Sequence, residues 1–254
     1  MEAFLVSTGC SKSGDGEVVD ANGKAAAPAE ETWDAEAYVR YVPGVIAGVR
    51  EHVGPGVNLL HDAHHRLTPI QAARLGKALE PVGMYWLEDV TPAEDQEALR
   101  LVRQHTTTPL AIGEVFNTIW DCQQLIENRL IDYIRTAVVH AGGISHIRKI
   151  FALAEVHGVQ AAPHGPSDVS PISLAASIHL GMATHNFAIQ EYMGYPDLVH
   201  EAFPHAWHVA DGHLQPGDEP GLGVTLTDDL HHPDDYESAY LPVARRRDGT
   251  LTDW

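Results

Sequence analysis

Three carboxylates recur along this chain at one interval. Asp62 follows the apolar run 57–60, Glu88 follows 84–87 and Glu114 follows 109–113, and both intervals are 26 residues. Each of the first two acids precedes a helix start. Thr68-Pro69 places a threonine N-cap before a first-turn proline, and Thr91-Pro92-Ala93-Glu94 reads as a capping box. Apolar strand, acid and helix start, repeated at this length, describe consecutive βα units, and strands that are apolar throughout suit a parallel sheet buried on both faces. Polar residues that end such strands meet at one end of the sheet.

The same rhythm continues down the chain. Strands are expected over 57–61, 84–88, 109–113, 133–138, 159–162 and 187–190, and the intervening helices over 69–80, 94–104, 119–127, 144–157 and 171–182. An earlier helical pattern runs from Trp33 through Tyr38, Val42, Ile46 and Val49, with Pro43 expected to kink or break it. Three segments follow: 1–33, rich in Gly, Ser and Ala, reads as a mobile arm or loop; 34–191 carries the βα units; and 192–254 reads as loops laid over them. Within the arm, Phe4 to Ser7 reads as a strand remnant. Six units fit either a (β/α)₈ barrel short of two strands or an open doubly wound sheet.

Charge narrows the function. Lys plus Arg is 16 against Asp plus Glu 35, a formal net charge of −19, which argues against nucleic acid and against an anionic membrane surface as partners. Cys10 and Cys122 have no metal-binding spacing, and the first residues lack a basic leader, so a cytoplasmic location is expected.

Asp62, Glu88 and Glu114 on three successive strands would repel one another and raise their own pKa values if nothing neutralised them. A hard divalent cation removes the conflict, and an all-oxygen donor set favours Mg²⁺ over Zn²⁺. The plainer alternative is that each acid caps the helix after it. His64, two residues past Asp62, is placed to face the same cavity as a general acid or base, whereas His61 and His65 read as structural. Arg135, inside the fourth strand, would hold an anionic oxygen or pair with a neighbouring acid. His164, Asp168 and Glu191, at or just past later strand ends, offer hydrogen bonds to a polyhydroxylated ligand. Gly142-Gly143 before a helix fits either a phosphate cradle or, more simply, a tight βα turn.

Longer strings carry a resemblance. "HDAHHRLTPIQAARLGKALEP", "WLEDVTPAEDQEALRLVRQHTTTPLAIGE", "QLIENRLIDYIR", "IQEYM", "PHAWHVADGHLQPGDEPGLGV" and the terminal "DGTLTDW" resemble the D-mannonate dehydratase branch of the enolase superfamily, also described as starvation-sensing proteins, over about residues 33–254. The resemblance implies a (β/α)₈ barrel, here partial, with about six βα units and no N-terminal capping domain. It implies Mg²⁺ held by Asp62, Glu88 and Glu114, His64 as the acid that protonates a departing hydroxyl, a sugar-acid site lined by Arg135, His164, Asp168 and Glu191, and Trp254 closing it. The implied chemistry removes the proton α to a carboxylate and expels water, giving a 2-keto-3-deoxy acid.

Two departures accompany it. The family's proton-abstracting Tyr and its Arg partner belong near the second barrel strand, while here the first Tyr and Arg, Tyr38 and Arg40, fall in the following helix. Pro166 stands where proficient members have Ala, and members with Pro resemble a weaker or gluconate-using group. Three readings compete: a weak Mg²⁺-dependent dehydratase of mannonate or gluconate, a non-catalytic protein binding a metal and a sugar acid, and a zinc hydrolase built on His61, His64 and His65. The strand at 57–61 is expected to stand as an exposed edge that associates unless residues 1–12 or another copy covers it, so a homo-oligomer is expected.

Overall fold

In a computed structural model of the chain, the described residues are 3–5, 31–227 and 244–252. Most of the expected arm, and Trp254, lie outside them. A six-stranded parallel sheet organises the rest, in the order β1 (Ala3–Leu5), β3 (Asn58–Asp62), β4 (Trp86–Glu88), β5 (Leu110–Ile112), β6 (Tyr133–Ile134), β7 (Gln160–Ala161). Helices alternate with these strands: α1 (Ala35–Val53), α2 (Pro69–Leu79), α3 (Gln96–His105), α4 (Ile119–Glu127), α5 (Ile144–His157) and α6 (Pro171–Met182). The architecture is that of a partial (β/α) barrel.

Strand alternation divides the interior in two. Leu59, Leu87, Leu110, Ile112 and Ile134 pack outward in one core with helix residues such as Ile46, Leu75, Val102 and Ile147. Leu60, Trp86, Ala111, Tyr133 and Ala162 point the other way and form a second cluster on the inner face. Inward-facing residues on neighbouring strands therefore stack in layers.

Helix starts follow local chemistry. Thr68 caps α2 and shares a reciprocal capping box with Gln71, and Thr118 does the same for α4 with Asp121. The Thr91–Glu94 box does not form. Asp95 accepts from the Ala98 amide instead and caps α3, a position where a short carboxylate reaches the exposed amides equally well. Pro43 neither breaks nor ends α1, which runs on to Val53 behind its Asp34 cap.

Three other expectations change. The 57–61 strand is not an edge, because the cover named for it within residues 1–12 is present: Ala3–Leu5 pairs with it in parallel through Ala3–Asn58, Phe4–Leu59 and Leu5–Leu60. Its backbone donors and acceptors thereby gain partners, and the edge passes to β1. The strand expected at 187–190 shrinks to a bridge between Ala161 and Phe187, and that expected at 133–138 stops at Ile134. The tail after Tyr192 holds a short helix, α7 (Asp197–Ala202), and a hairpin, β8 (His208–Ala210) with β9 (His213–Gln215). Asp211 and Gly212, at φ 50° and 73°, supply the left-handed pair that a two-residue hairpin turn requires, a signal in the sequence that the loop reading passed over. Two further short strands, β10 (Ala244–Arg245) and β11 (Leu251–Thr252), join β2 (Glu31–Thr32) in a small sheet. Among the described residues no helix is long and apolar enough to cross a membrane.

Candidate metal and sugar-acid site

The inner face carries the polar residues at one end. Leu60 and Trp86 belong to the inner cluster, so two residues on, Asp62 and Glu88 share that face. They are direct register partners on β3 and β4. Tyr133 likewise places Arg135 inward, while His61 turns outward, where its Nε2 meets the Tyr38 hydroxyl of α1 at 2.7 Å. Glu114 follows Gly113, whose φ of 139° only glycine adopts readily; a Cβ there would stand 3.1 Å from the Arg135 amide nitrogen.

Arg135 ties three strand ends together. Its Nε donates to Glu88 Oε1 at 2.6 Å, its Nη1 to the Ala162 carbonyl at 3.2 Å and its Nη2 to Glu191 Oε2 at 2.8 Å. The guanidinium also lies over the Trp86 ring, 5.2 Å from its centre, and the Trp86 indole N–H donates to Glu88 Oε2 at 2.8 Å. Both Glu88 oxygens thus have donors. Burial still pushes this carboxyl up to about 7, against the pull of Arg135. Of the two readings open for Arg135, pairing to neighbouring acids is the one these contacts realise.

Glu114 is the meeting point of three histidines. His164 Nε2 lies 3.1 Å from its Oε2, while His65 Nε2 and His64 Nε2 lie 3.4 and 3.7 Å from its Oε1. Burial works against its charge, but His164 and His65 outweigh that and hold the carboxyl below its usual range. Asp62 goes the other way, raised by burial with Glu114 adding to the effect, although His64 opposes it and the His64 amide donates to Asp62 Oδ1 at 2.7 Å. His164 Nε2 also comes within 3.9 Å of Glu191. Asp168 is exposed beyond this cluster, on the loop after β7.

Asp89 and His65 are the residues that sequence reasoning did not assign to the site. Asp89 is fully buried, and neither of its oxygens has a hydrogen-bond partner among the described residues. Burial raises its carboxyl well above the usual range, with His65 opposing. His65 Nε2 stands 3.7 Å from Asp89 Oδ2, and although burial disfavours its charge, Glu114 and Asp89 hold its pKa up at about 9. Among the described residues, His65, Asp89 and Glu114 are the set whose donor atoms all close within 4.8 Å of one another. Asp62 and Glu88 sit beside them without closing so tightly on Glu114. The 26-residue ladder pointed at one acid per strand end, and the acid directly after Glu88 was the available sign of a second carboxylate.

Four buried or half-buried carboxylates at one sheet end, one of them without a hydrogen bond, form a concentration of negative charge that a divalent cation relieves. The donor set is oxygen-rich and fits such an ion.

A sequence model described as enolase C-terminal domain-like matches residues 21–230. A D-galactonate dehydratase family member of Streptomyces bingchenggensis is 68% identical over 231 residues, covering 91% of this chain and 56% of that protein. A D-mannonate dehydratase of Sphingomonas sp. (strain SKA58) is 53% identical over 227 residues, covering 89% of this chain and 56% of that protein. The chain thus spans about half the length of the curated relatives it matches. Among solved structures, an enolase from Pantoea ananatis with bound D-gluconate and Mg superposes with a TM-score of 0.82 at 38% identity, over 89% of this chain and 55% of that one.

Proposed function

This chain belongs to the enolase C-terminal domain-like family, and from that premise we propose that it carries the metal-binding and acid-bearing part of a Mg²⁺-dependent sugar-acid dehydratase. The observation that carries the reading is the end-of-strand array itself: Asp62 in register with Glu88, Glu114 two residues past the end of the next strand, and His64 beside both Asp62 and Glu114. Asp62, Glu88 and Glu114 would hold the cation. When bound, it supplies charge that stabilises the anion left as the α proton of a sugar acid departs.

The chain's own residues supply the acid for the departing hydroxyl and the substrate contacts, while the base that takes the α proton is not among them. His64, part-exposed and next to the carboxylates, donates a proton to the departing hydroxyl. Arg135 fixes Glu88 and Glu191 against one another. His164, Glu191 and Asp168 offer donors and acceptors to substrate hydroxyls; Trp254, outside the described residues, is given the closing role by the resemblance alone. The substrate is a small C6 sugar acid, mannonate or gluconate, handled by a cytoplasmic homo-oligomer with neither nucleic acid nor membrane as partner. Residues 34–191 act as the barrel segment, to which Ala3–Leu5 adds a strand in place of a free arm, and 192–254 as the closing segment.

A second reading keeps the binding and drops the turnover. It is favoured by Tyr38, whose hydroxyl is bonded to the buried His61 and so is tied to the scaffold, away from the inner face. Incubating the 254-residue chain with Mg²⁺ and either D-mannonate or D-gluconate, and following 2-keto-3-deoxygluconate, separates the two. We expect slow product, about 10²–10⁴-fold below a chain extended by a strand and loop carrying the family's Arg and Tyr, which is the usual cost of an absent general base. His64→Asn should abolish it. Gluconate binding with no product at all favours the second reading, and fast product that survives His64→Asn defeats the assignment of His64.

A further inference from the structure

We propose that Asp89 and His65 form a positioning pair for Glu114: Asp89 holds the His65 ring, and the ring's Nε2 holds the Glu114 carboxylate in the orientation that a bound cation needs. This deepens the metal reading above and rests on it.

The geometry is specific on both sides of the ring. His65 Nδ1 faces the Thr91 carbonyl at 3.2 Å, and a carbonyl can only accept, so Nδ1 carries a proton. Nε2 then faces two carboxylates, Glu114 Oε1 at 3.4 Å and Asp89 Oδ2 at 3.7 Å, which also only accept, so the ring meets them as an imidazolium, at ion-pair distances and without a formed hydrogen bond. The backbone is held as closely as the ring. The His65 amide donates to the Asp89 carbonyl at 2.5 Å, and both residues adopt left-handed φ, 61° and 38°, a conformation that non-glycine residues keep only where the surroundings enforce it.

Asp89 gives the arrangement its rationale. A wholly buried carboxylate without a hydrogen bond is costly, and the structure retains one where its partner is the ring that touches a metal-site acid. Glu88 gives the contrast: its two oxygens are oriented by Arg135 and Trp86, whereas among the described residues the side chains facing Glu114 are histidines. Groups that orient ligands in this way typically contribute about 10–100-fold to metal affinity.

The test is Mg²⁺ titration calorimetry on the full chain, with a Mn²⁺ titration as a second probe and circular dichroism to score folding. Gln keeps an N–H near the Nε2 position of histidine, and Asn keeps one near Nδ1 only. His65→Gln should therefore hold Mg²⁺ affinity within about threefold of wild type, while His65→Asn and Asp89→Asn weaken it about 10–100-fold. Should Asp89→Asn fail to fold, the two His65 variants decide the matter. Equal affinities for His65→Gln and His65→Asn, with normal wild-type binding, overturn the positioning role alone. No Mg²⁺ heat in wild type, or unchanged affinity in Glu114→Gln, overturns the metal reading beneath it.

Discussion

Gly165 marks how little room the site leaves its own backbone. A Cβ there would stand 2.6 Å from the Glu191 carbonyl oxygen and 2.7 Å from Gln190 Nε2, too close for any side chain without movement. The Gly165 amide also donates to Glu191 Oε2 at 2.9 Å, so the glycine links the His164 loop to the residue that shares Arg135. Gly165→Ala must push the two loops apart, an overpacking that costs about 1–3 kcal/mol. A lower urea midpoint at unchanged m-value is the expected result, and an unaltered midpoint would show that the loop yields freely. In the sequence this residue is merely the glycine before Pro166. Its constraint comes from Glu191, a residue 26 positions away.

At the scale of elements, the segment after Tyr192 is fastened to α6 by an aromatic cluster. Trp207 packs with Leu174, Ala175 and Ile178 of that helix, and His205 stacks on the Trp207 ring at 3.7 Å with planes 3° apart. His205 Nδ1 donates to the Trp207 carbonyl at 2.9 Å, which leaves Nε2 to accept from His200 Nδ1, also at 2.9 Å. Protonating Nε2 removes that acceptor. Burial, with His200 adding to it and the Trp207 carbonyl opposing, accordingly lowers the His205 pKa from its usual 6.5. A depressed histidine pKa means that the unfolded chain binds more protons below 6.5, so this contribution is present above that pH and is lost as pH falls toward the folded value. Trp207 fluorescence and the thermal midpoint should shift together as the pH falls below 6.5. His205→Gln should flatten the change, and an identical profile in the variant would sink the assignment.

For the whole molecule, net charge and fold meet at one place. A chain with a formal net charge of −19 gathers Asp62, Glu88, Asp89 and Glu114 at the end of its sheet, where burial raises three of the four carboxyls. Under the proposed reading, a cation that binds only the native state stabilises it by mass action. At a hundredfold excess over Kd this is about 2.7 kcal/mol, a rise in Tm of roughly 5–10 °C for a chain of this size. Glu88→Gln should lose most of that rise, because it removes one ligand and leaves Arg135 to pair with Glu191 alone. A Tm indifferent to Mg²⁺ in wild type would count against the site itself.

The periodic part of the protein was legible without coordinates. Helices at 119–127, 144–157 and 171–182 form over those residues, because apolar periodicity and the proline at position 171 are local signals. The parallel strand order follows the order in the chain for the same reason: each βα unit carries its own strand, turn and helix start. Pairing across the sequence was less legible. A strand near Phe4 and a cover for β3 within residues 1–12 were both legible, but that Ala3–Leu5, rather than another copy, pairs with β3 depends on two strands meeting across more than fifty residues, which no local pattern records. The division between Asp62 and His61, one facing the inner cluster and the other Tyr38, follows from strand alternation once the inner face is known. The roles of Asp89 and His65 could not be read that way. Both lie just past their strands, in left-handed turns where alternation no longer says which way a side chain points, so only the packed structure brought them to Glu114.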